Sequence, residues 1–236
     1  MAYKTYELPD IGQITVYKRR GAKAVKLSIT HDNKVRVTVP LWAPYQAGFE
    51  FARAKSSWIA SKRVPTALLM PDSHIGKAHR LIFYNEAGRQ KVATRIAGNE
   101  VRIMLPSEVS WQSEPAQTAA RSAGKRALKQ QAQSLLPKRL QSLATAHGFD
   151  YRTVSVKPLK SRWGSCSSHK DIILNIYLMQ LPWELIDYVI LHELVHTRVM
   201  AHGEPFWSEL GRYVTDLPGI RKTMRAQRPV VLGQSY

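Results

Sequence analysis

The chain has 236 residues, 44% of them hydrophobic and 22% charged, and its 35 Lys and Arg against 17 Asp and Glu give a formal charge of +18. This composition supports a sizeable core in one large or two small domains and excludes wholesale disorder. The single cysteine, Cys166, excludes an internal disulfide framework and a cysteine-rich zinc site.

From the N-terminus, no apolar core of a signal peptide is readable, and no apolar run approaches the roughly 18 residues of a transmembrane helix, so a cytoplasmic protein without a membrane partner is expected. Ile14 and Val16, then Val25, Leu27 and Ile29, then Val35, Val37 and Val39 alternate with polar neighbours at period two, the pattern of half-buried strands. His31-Asp32-Asn33 predicts a hairpin turn between the last two runs. Tyr45, Phe49, Ala52 and Ile59 then recur at helical spacing, up to Pro65. A second strand group follows at 80–85, 91–97 and 101–105. Val35–Pro40 and Val101–Pro106 share a strand pattern with Arg on one face and a terminal Pro, which is assigned to strand grammar rather than duplication.

Residues 115–149 hold no acid and six bases. Arg121, Lys125 and Lys129 lie four apart, so a helix aligns them on one face, opposite Leu128, Ala132, Leu135 and Leu136. Such a face is ordinarily just solvated; its functional reading is a footprint for a polyanion, nucleotide or nucleic acid. Leu140 and Leu143 continue the apolar series beyond Pro137, and Gly148 stops the helix. Strands are expected at 151–157 and 172–178, flanking the loop 159–168.

Charge is uneven along the chain. Residues 1–150 carry +14, residues 151–220 carry seven charges of each sign, and residues 221–236 add +4. The neutral stretch holds the chemistry. Leu181-Pro182-Trp183 opens a helix, with Glu184 and Asp187 complementing its positive end. Inside it lies His192-Glu193-Leu194-Val195-His196, an H-E-x-x-H pattern that chance supplies about 0.01 times in a chain of this composition. Leu185, Val189, His192 and His196 fall on one stripe, the face a helix turns toward a core. A shared divalent metal satisfies both imidazoles, and Glu193, on the flank, reaches a water rather than the metal. For a third ligand, His202 has suitable chemistry and spacing, with Glu204 and Glu209 competing. Val199 stands where metzincins place a turn glycine, so the pattern is not metzincin.

Lys160-Ser161-Arg162-Trp163-Gly164-Ser165-Cys166-Ser167, Leu174-Asn175, Leu178, Pro182, Asp187-Tyr188-Val189, the H-E-x-x-H run, His202 and Phe206-Trp207 together resemble the YgjP-like metal-dependent hydrolases, relatives of the SprT-like and WLM zinc metallopeptidases. Ala201 departs from the Asn expected before the third histidine, and Asp72–Gly76 matches loosely. The resemblance implies one zinc ion per chain on His192, His196 and His202, Glu193 as general base, and a segment Arg162–Cys166 that borders the site. It implies an α+β fold, an N-terminal antiparallel β-rich region followed by a helical zincin-like core with a short sheet. The expected domains are a basic β-rich region over 1–110 and the hydrolase core over 111–236.

The expected activity is that of a zinc-dependent metallopeptidase acting on a peptide or protein. The alternatives are a metal-dependent nucleoside triphosphate (pyro)phosphohydrolase and a nucleic-acid-associated protease acting on DNA-bound proteins. Arg162, Tyr177 and Tyr213 are equal candidates for stabilising the oxyanion. Arg162 can also hold a substrate carboxylate or phosphate, although pairing with Asp187 or Glu184 is favoured. Cys166 is read as a small buried side chain, and Phe206 and Trp207 as packing behind the metal helix.

Overall fold

The computed structural model describes residues 2–9, 11–30, 34–62 and 68–227. The expected turn at 31–33 and the helix stop at Pro65 lie outside these. The chain falls into two compact units that divide between residues 67 and 68.

In the first unit, β1 (Tyr3–Leu8), β2 (Gly12–Arg19), β3 (Lys26–Ile29) and β4 (Val35–Pro40) form a sheet of order β1-β2-β4-β3. The β2–β4 pair is parallel and the outer pairs are antiparallel. The period-two alternation places Ile14, Val16, Val35, Val37 and Val39 in the core, under α1 (Tyr45–Ala54) and α2 (Ser56–Lys62). Gly48 marks the close approach of α1: a Cβ there would lie 2.5 Å from Val16 Cγ1 and 3.0 Å from Val39 Cγ1. Strand β1 escapes sequence reading because Leu8 is its only fully buried side chain.

In the second unit, β5 (His74–Ile75), β6 (His79–Glu86), β7 (Ala93–Ala97) and β8 (Glu100–Pro106) repeat that topology as β5-β6-β8-β7, again with a parallel central pair. Val35–Pro40 and Val101–Pro106 therefore hold equivalent places in two like sheets, which corrects their reading as strand grammar alone. Each is a central strand that buries one face against a helix.

The helix over the second sheet is α3 (Glu114–His147). It starts at the Ser113 cap, ends at Gly148 in the left-handed conformation (φ 66°), and continues through Pro137. Ala116, Ala120, Ala123, Gly124 and Ala127 are among its buried small residues, and the helix packs in one core with Leu81, Val101, Ile103 and Leu105. A third sheet, β9 (Thr153–Lys157), β10 (Gly164–Cys166) and β11 (Asp171–Asn175), has the order β10-β11-β9.

Strand β11 ends at Asn175, not at 178. Its side-chain oxygen accepts from Tyr177 N at 3.2 Å and turns the chain into a 3₁₀ helix, Ile176–Gln180. Helices α4 (Trp183–Val195), α5 (Glu204–Gly211) and α6 (Leu217–Ala226) complete an α+β architecture, a β-rich start followed by a helical core with a short sheet. Arg139 of α3 grips Asp187 of α4 through Nε (2.7 Å) and Nη2 (2.5 Å), taking the carboxylate that sequence reading gave to Arg162. Among the described residues, no helix is long and apolar enough to cross a membrane.

Candidate metal centre

Helix α4 is apolar almost all round, and Leu185, Ile186, Val189, Ile190, Leu191, Leu194 and Val195 are all buried. Its histidine stripe is therefore not simply a core face. His192 is half-buried where the helix borders a cleft, while Glu193, expected on the flank, is only 5% exposed. The helix ends just before His196, whose Nδ1–H donates to the carbonyl of Val199 at 3.1 Å, leaving Nε2 with a free lone pair. The following loop brings in His202, and the indole Nε1–H of Trp207 donates to the His202 carbonyl at 3.1 Å.

The three Nε2 atoms converge: His192 to His196 is 3.2 Å, His196 to His202 is 3.1 Å and His202 to His192 is 3.0 Å. Tetrahedral ligands about 2.0–2.1 Å from a zinc ion stand roughly 3.3–3.4 Å apart, so the cluster fits such a cation with little adjustment. Burial, then the neighbouring His196 and His202 and Arg221, push His192 down to about 3, so its ring is neutral and able to ligate. Burial likewise lowers His196. His192 Nδ1 is enclosed without a partner among the described residues, so Nε2 is the nitrogen left to it for an interaction. These three form the His/Cys/Asp/Glu group that can hold a metal among the described residues. Phe206 backs all three rings, with centroids 4.5–4.8 Å away. The competing carboxylates stand elsewhere: Glu209 pairs with Arg198 and Arg212, and Glu204 is exposed at the start of α5.

The Glu193 carboxyl lies against the backbone of Gly164 on β10. Burial raises its pKa to about 8, with the Arg162 guanidinium pulling it down. Cys166 is partly buried, and burial together with the Glu193 and Asp171 charges raises its thiol to about 11, which makes it a poor nucleophile.

The cleft beside this cluster measures about 440 Å³ and is lined by Arg162, Gly164, Tyr188, His192, Glu193 and His202, with Trp207, Arg221 and Arg225 closing it. Of the three side chains expected near the substrate, Arg162 lines the cleft. Tyr177 is buried in the 3₁₀ helix, and the Tyr213 hydroxyl donates to Glu209 (2.7 Å) and accepts from Arg198 (3.0 Å) away from the lining. Asn175 fixes the loop that carries Arg162, donating to the carbonyls of Leu159 (2.9 Å) and Arg162 (2.8 Å). Trp207, read as packing behind the helix, instead joins the cleft wall, while Phe206 does pack behind. Arg121, Lys125 and Lys129 follow one another along α3 and none of them lines the cleft. Lys125 and Lys129 are exposed, whereas Arg121 is half-buried with an enclosed Nη1. Sequence reading missed Arg221 and Arg225, which look like terminal positive charge until α6 carries them to the cleft.

Comparison with known proteins adds the lineage. A model of the YgjP-like metallopeptidase domain matches residues 23–227. An uncharacterized protein of Methanocaldococcus jannaschii is 38% identical over 64 residues, covering 25% of this chain and 58% of that protein. The chain thus spans somewhat over half the length of that relative. Among solved structures, the metallopeptidase zymogen jannalysin of Methanocaldococcus jannaschii is 26% identical with a TM-score of 0.35, covering 38% of this chain and 93% of its own. The metallopeptidase zymogen abylysin of Pyrococcus abyssi is 24% identical with a TM-score of 0.35, covering 41% of this chain and 100% of its own. By the family match, which takes in most of its length, the chain belongs to the YgjP-like metallopeptidase family.

Proposed function

We propose that this protein is a zinc-dependent hydrolase of peptidase type, with His192, His196 and His202 holding one zinc ion and Glu193 acting as general base. The observation that carries the reading is the convergence of three Nε2 atoms within 3.0–3.2 Å beside a buried carboxylate. An all-imidazole set of three with room beside it suits a catalytic zinc site with an open position. When bound, the ion supplies Lewis acidity to a water and to the substrate carbonyl.

The chain's own residues do the rest. The His196–Val199 hydrogen bond holds that ring with its lone pair toward the cluster. The Arg162 guanidinium favours the carboxylate form of Glu193, opposing the effect of its burial, and a cation held by the three histidines would add to this. Glu193, one residue after His192, accepts the proton of the attacking water at a carboxylate oxygen and returns it to the nitrogen of the leaving amine. Family membership supports a peptide or protein substrate.

Metal analysis and a peptide-hydrolysis panel on wild type, Glu193→Gln and His192→Ala test this. Glu193→Gln retains the metal and loses about 10²–10⁴-fold in rate, the usual range for general acid–base catalysis, whereas His192→Ala loses both. Loss of metal from Glu193→Gln would make Glu193 a ligand and overturn its role. Absence of peptide cleavage by the zinc-loaded wild type would overturn the peptidase assignment.

A further inference from the structure

Three arginines line the cleft, and Glu193 is its only carboxylate side chain among the described residues. Arg162 comes from the loop before β10, and Arg221 and Arg225 stand four residues apart on α6. None of the three forms an ion pair with a described residue. The neighbouring arginines Arg139, Arg152, Arg198 and Arg212, by contrast, all have carboxylate partners. A cation set in a partly enclosed wall, with no internal counter-charge but a single carboxylate, focuses a field that attracts anions.

The placement is specific. Trp207 is fixed by its hydrogen bond to His202, and its ring lies 5.8 Å from that of His202 and 6.1 Å from that of His192. The Arg221 guanidinium stacks on the same indole, 3.6 Å from the ring centroid. One aromatic ring therefore bridges the histidine cluster and a preorganised guanidinium. A stacked guanidinium keeps its in-plane N–H groups free, and this is the geometry that binds a carboxylate bidentately. Arg225, one helical turn further on, supplies a second fork. Lys222, on the same helix, does not line the cleft, so the wall is more than the general basicity of the segment.

We propose that this cleft selects peptides bearing a carboxylate next to the bond to be cleaved, bound by Arg221 and Arg225 with Arg162 contributing from the other segment. An acidic side chain and a free C-terminal carboxylate both supply that chemistry. The inference rests on the peptidase reading for its reaction, but its binding half can be measured separately.

The test uses zinc-loaded full-length protein and internally quenched peptides of one scaffold, with Glu, Gln or Lys beside the cleaved bond and a free or amidated C-terminus. A carboxylate-bearing peptide is cleaved with a kcat/KM about 10- to 100-fold above its neutral amide, mostly through KM, as expected of a charge-assisted hydrogen bond. A preference that follows Glu assigns the side chain, and one that follows the free terminus assigns the main-chain carboxylate. Arg221→Gln/Arg225→Gln abolishes the preference, read as the ratio of kcat/KM for the Glu and Gln peptides. Arg225→Gln alone, at an exposed position away from the indole stack, keeps the test valid if the double variant folds poorly.

In parallel, fluorescence anisotropy of labelled Glu and Gln peptides on Glu193→Gln reads selectivity without turnover. Cleavage with no preference, together with equal binding, overturns the inference and leaves the peptidase reading intact. Arginine-dependent binding of the Glu peptide without cleavage of any peptide by wild type does the reverse. Retention of a nucleoside triphosphate in place of the Glu peptide also overturns the inference.

Discussion

Gly164 and Glu193 are in direct contact: a Cβ on Gly164 would lie 2.6 Å from Glu193 Oε1, 2.8 Å from Cγ and 2.9 Å from Cδ. The clash involves the whole side chain, not just its flexible tip, and Glu193 is buried with little room to retreat. Gly164→Ala is therefore expected to displace the carboxylate while leaving the three histidines in place. Steady-state kinetics should show kcat reduced by about 10²-fold, the cost of roughly 1 Å of misplacement, at unchanged metal content. A variant with wild-type kcat would show that Glu193 needs no such positioning.

Arg198 ties down the loop between His196 and His202. It donates to Glu209 at 2.8 Å, to the Tyr213 hydroxyl at 3.0 Å and to the Gly148 carbonyl at 2.5 Å, and lies 4.0 Å from the centre of the Phe149 ring. Arg198→Gln should weaken metal binding by about tenfold, the lower end of losses for supporting groups, read by competition with a chromophoric chelator. Arg198→Lys should recover part of that loss, because one charge-assisted contact to Glu209 survives.

A cation that binds only the folded chain stabilises it by mass action. At about 100 times its dissociation constant, that is roughly 2.7 kcal/mol, or about 5–10 °C in Tm for a chain of this size. Calorimetry with and without a chelator should show this shift in wild type. His196→Ala should melt at the lower temperature in both conditions.

Asn175 is fully buried and holds the loop that carries Arg162. Its amide serves the Leu159 and Arg162 carbonyls while its oxygen accepts from Leu159 N at 3.3 Å and Tyr177 N at 3.2 Å. Asn175→Ala leaves several of these groups without partners and should lower stability by about 2–3 kcal/mol. Denaturant unfolding should show a lower midpoint at an unchanged slope.

The Arg152 guanidinium, and then the Thr153 hydroxyl, hold the Asp171 carboxyl down at about 2, from an ordinary 3.8. A folded-state value below the unfolded one means that the contribution is complete above about pH 4 and is lost as pH falls through about 2. The Tm difference between wild type and Asp171→Asn, present at pH 6, should narrow over that interval. A difference independent of pH would rule out this ion pair as its source.

Local order was legible from the residues themselves. Alternation at Ile14–Val16, Val35–Val39 and Val101–Leu105 marked strands because side-chain direction in a strand has a fixed period of two. The helical period likewise stacked His192 and His196 on neighbouring turns, and Gly148 ended α3 because a left-handed residue is cheapest there as glycine. What depends on packing at long range was not legible. Asp187 went to Arg139, 48 residues away, rather than to Arg162. Glu193 became more buried than His192 because α4 is covered on nearly all sides and opens only at the cleft. The common topology of the two four-stranded sheets, and the arrival of Trp207, Arg221 and Arg225 beside the histidines, came from how whole elements dock. A local pattern records only which face of an element is apolar. The charge, enclosure and neighbours of a site are set by segments that meet only after folding, and no period in the chain encodes where they meet.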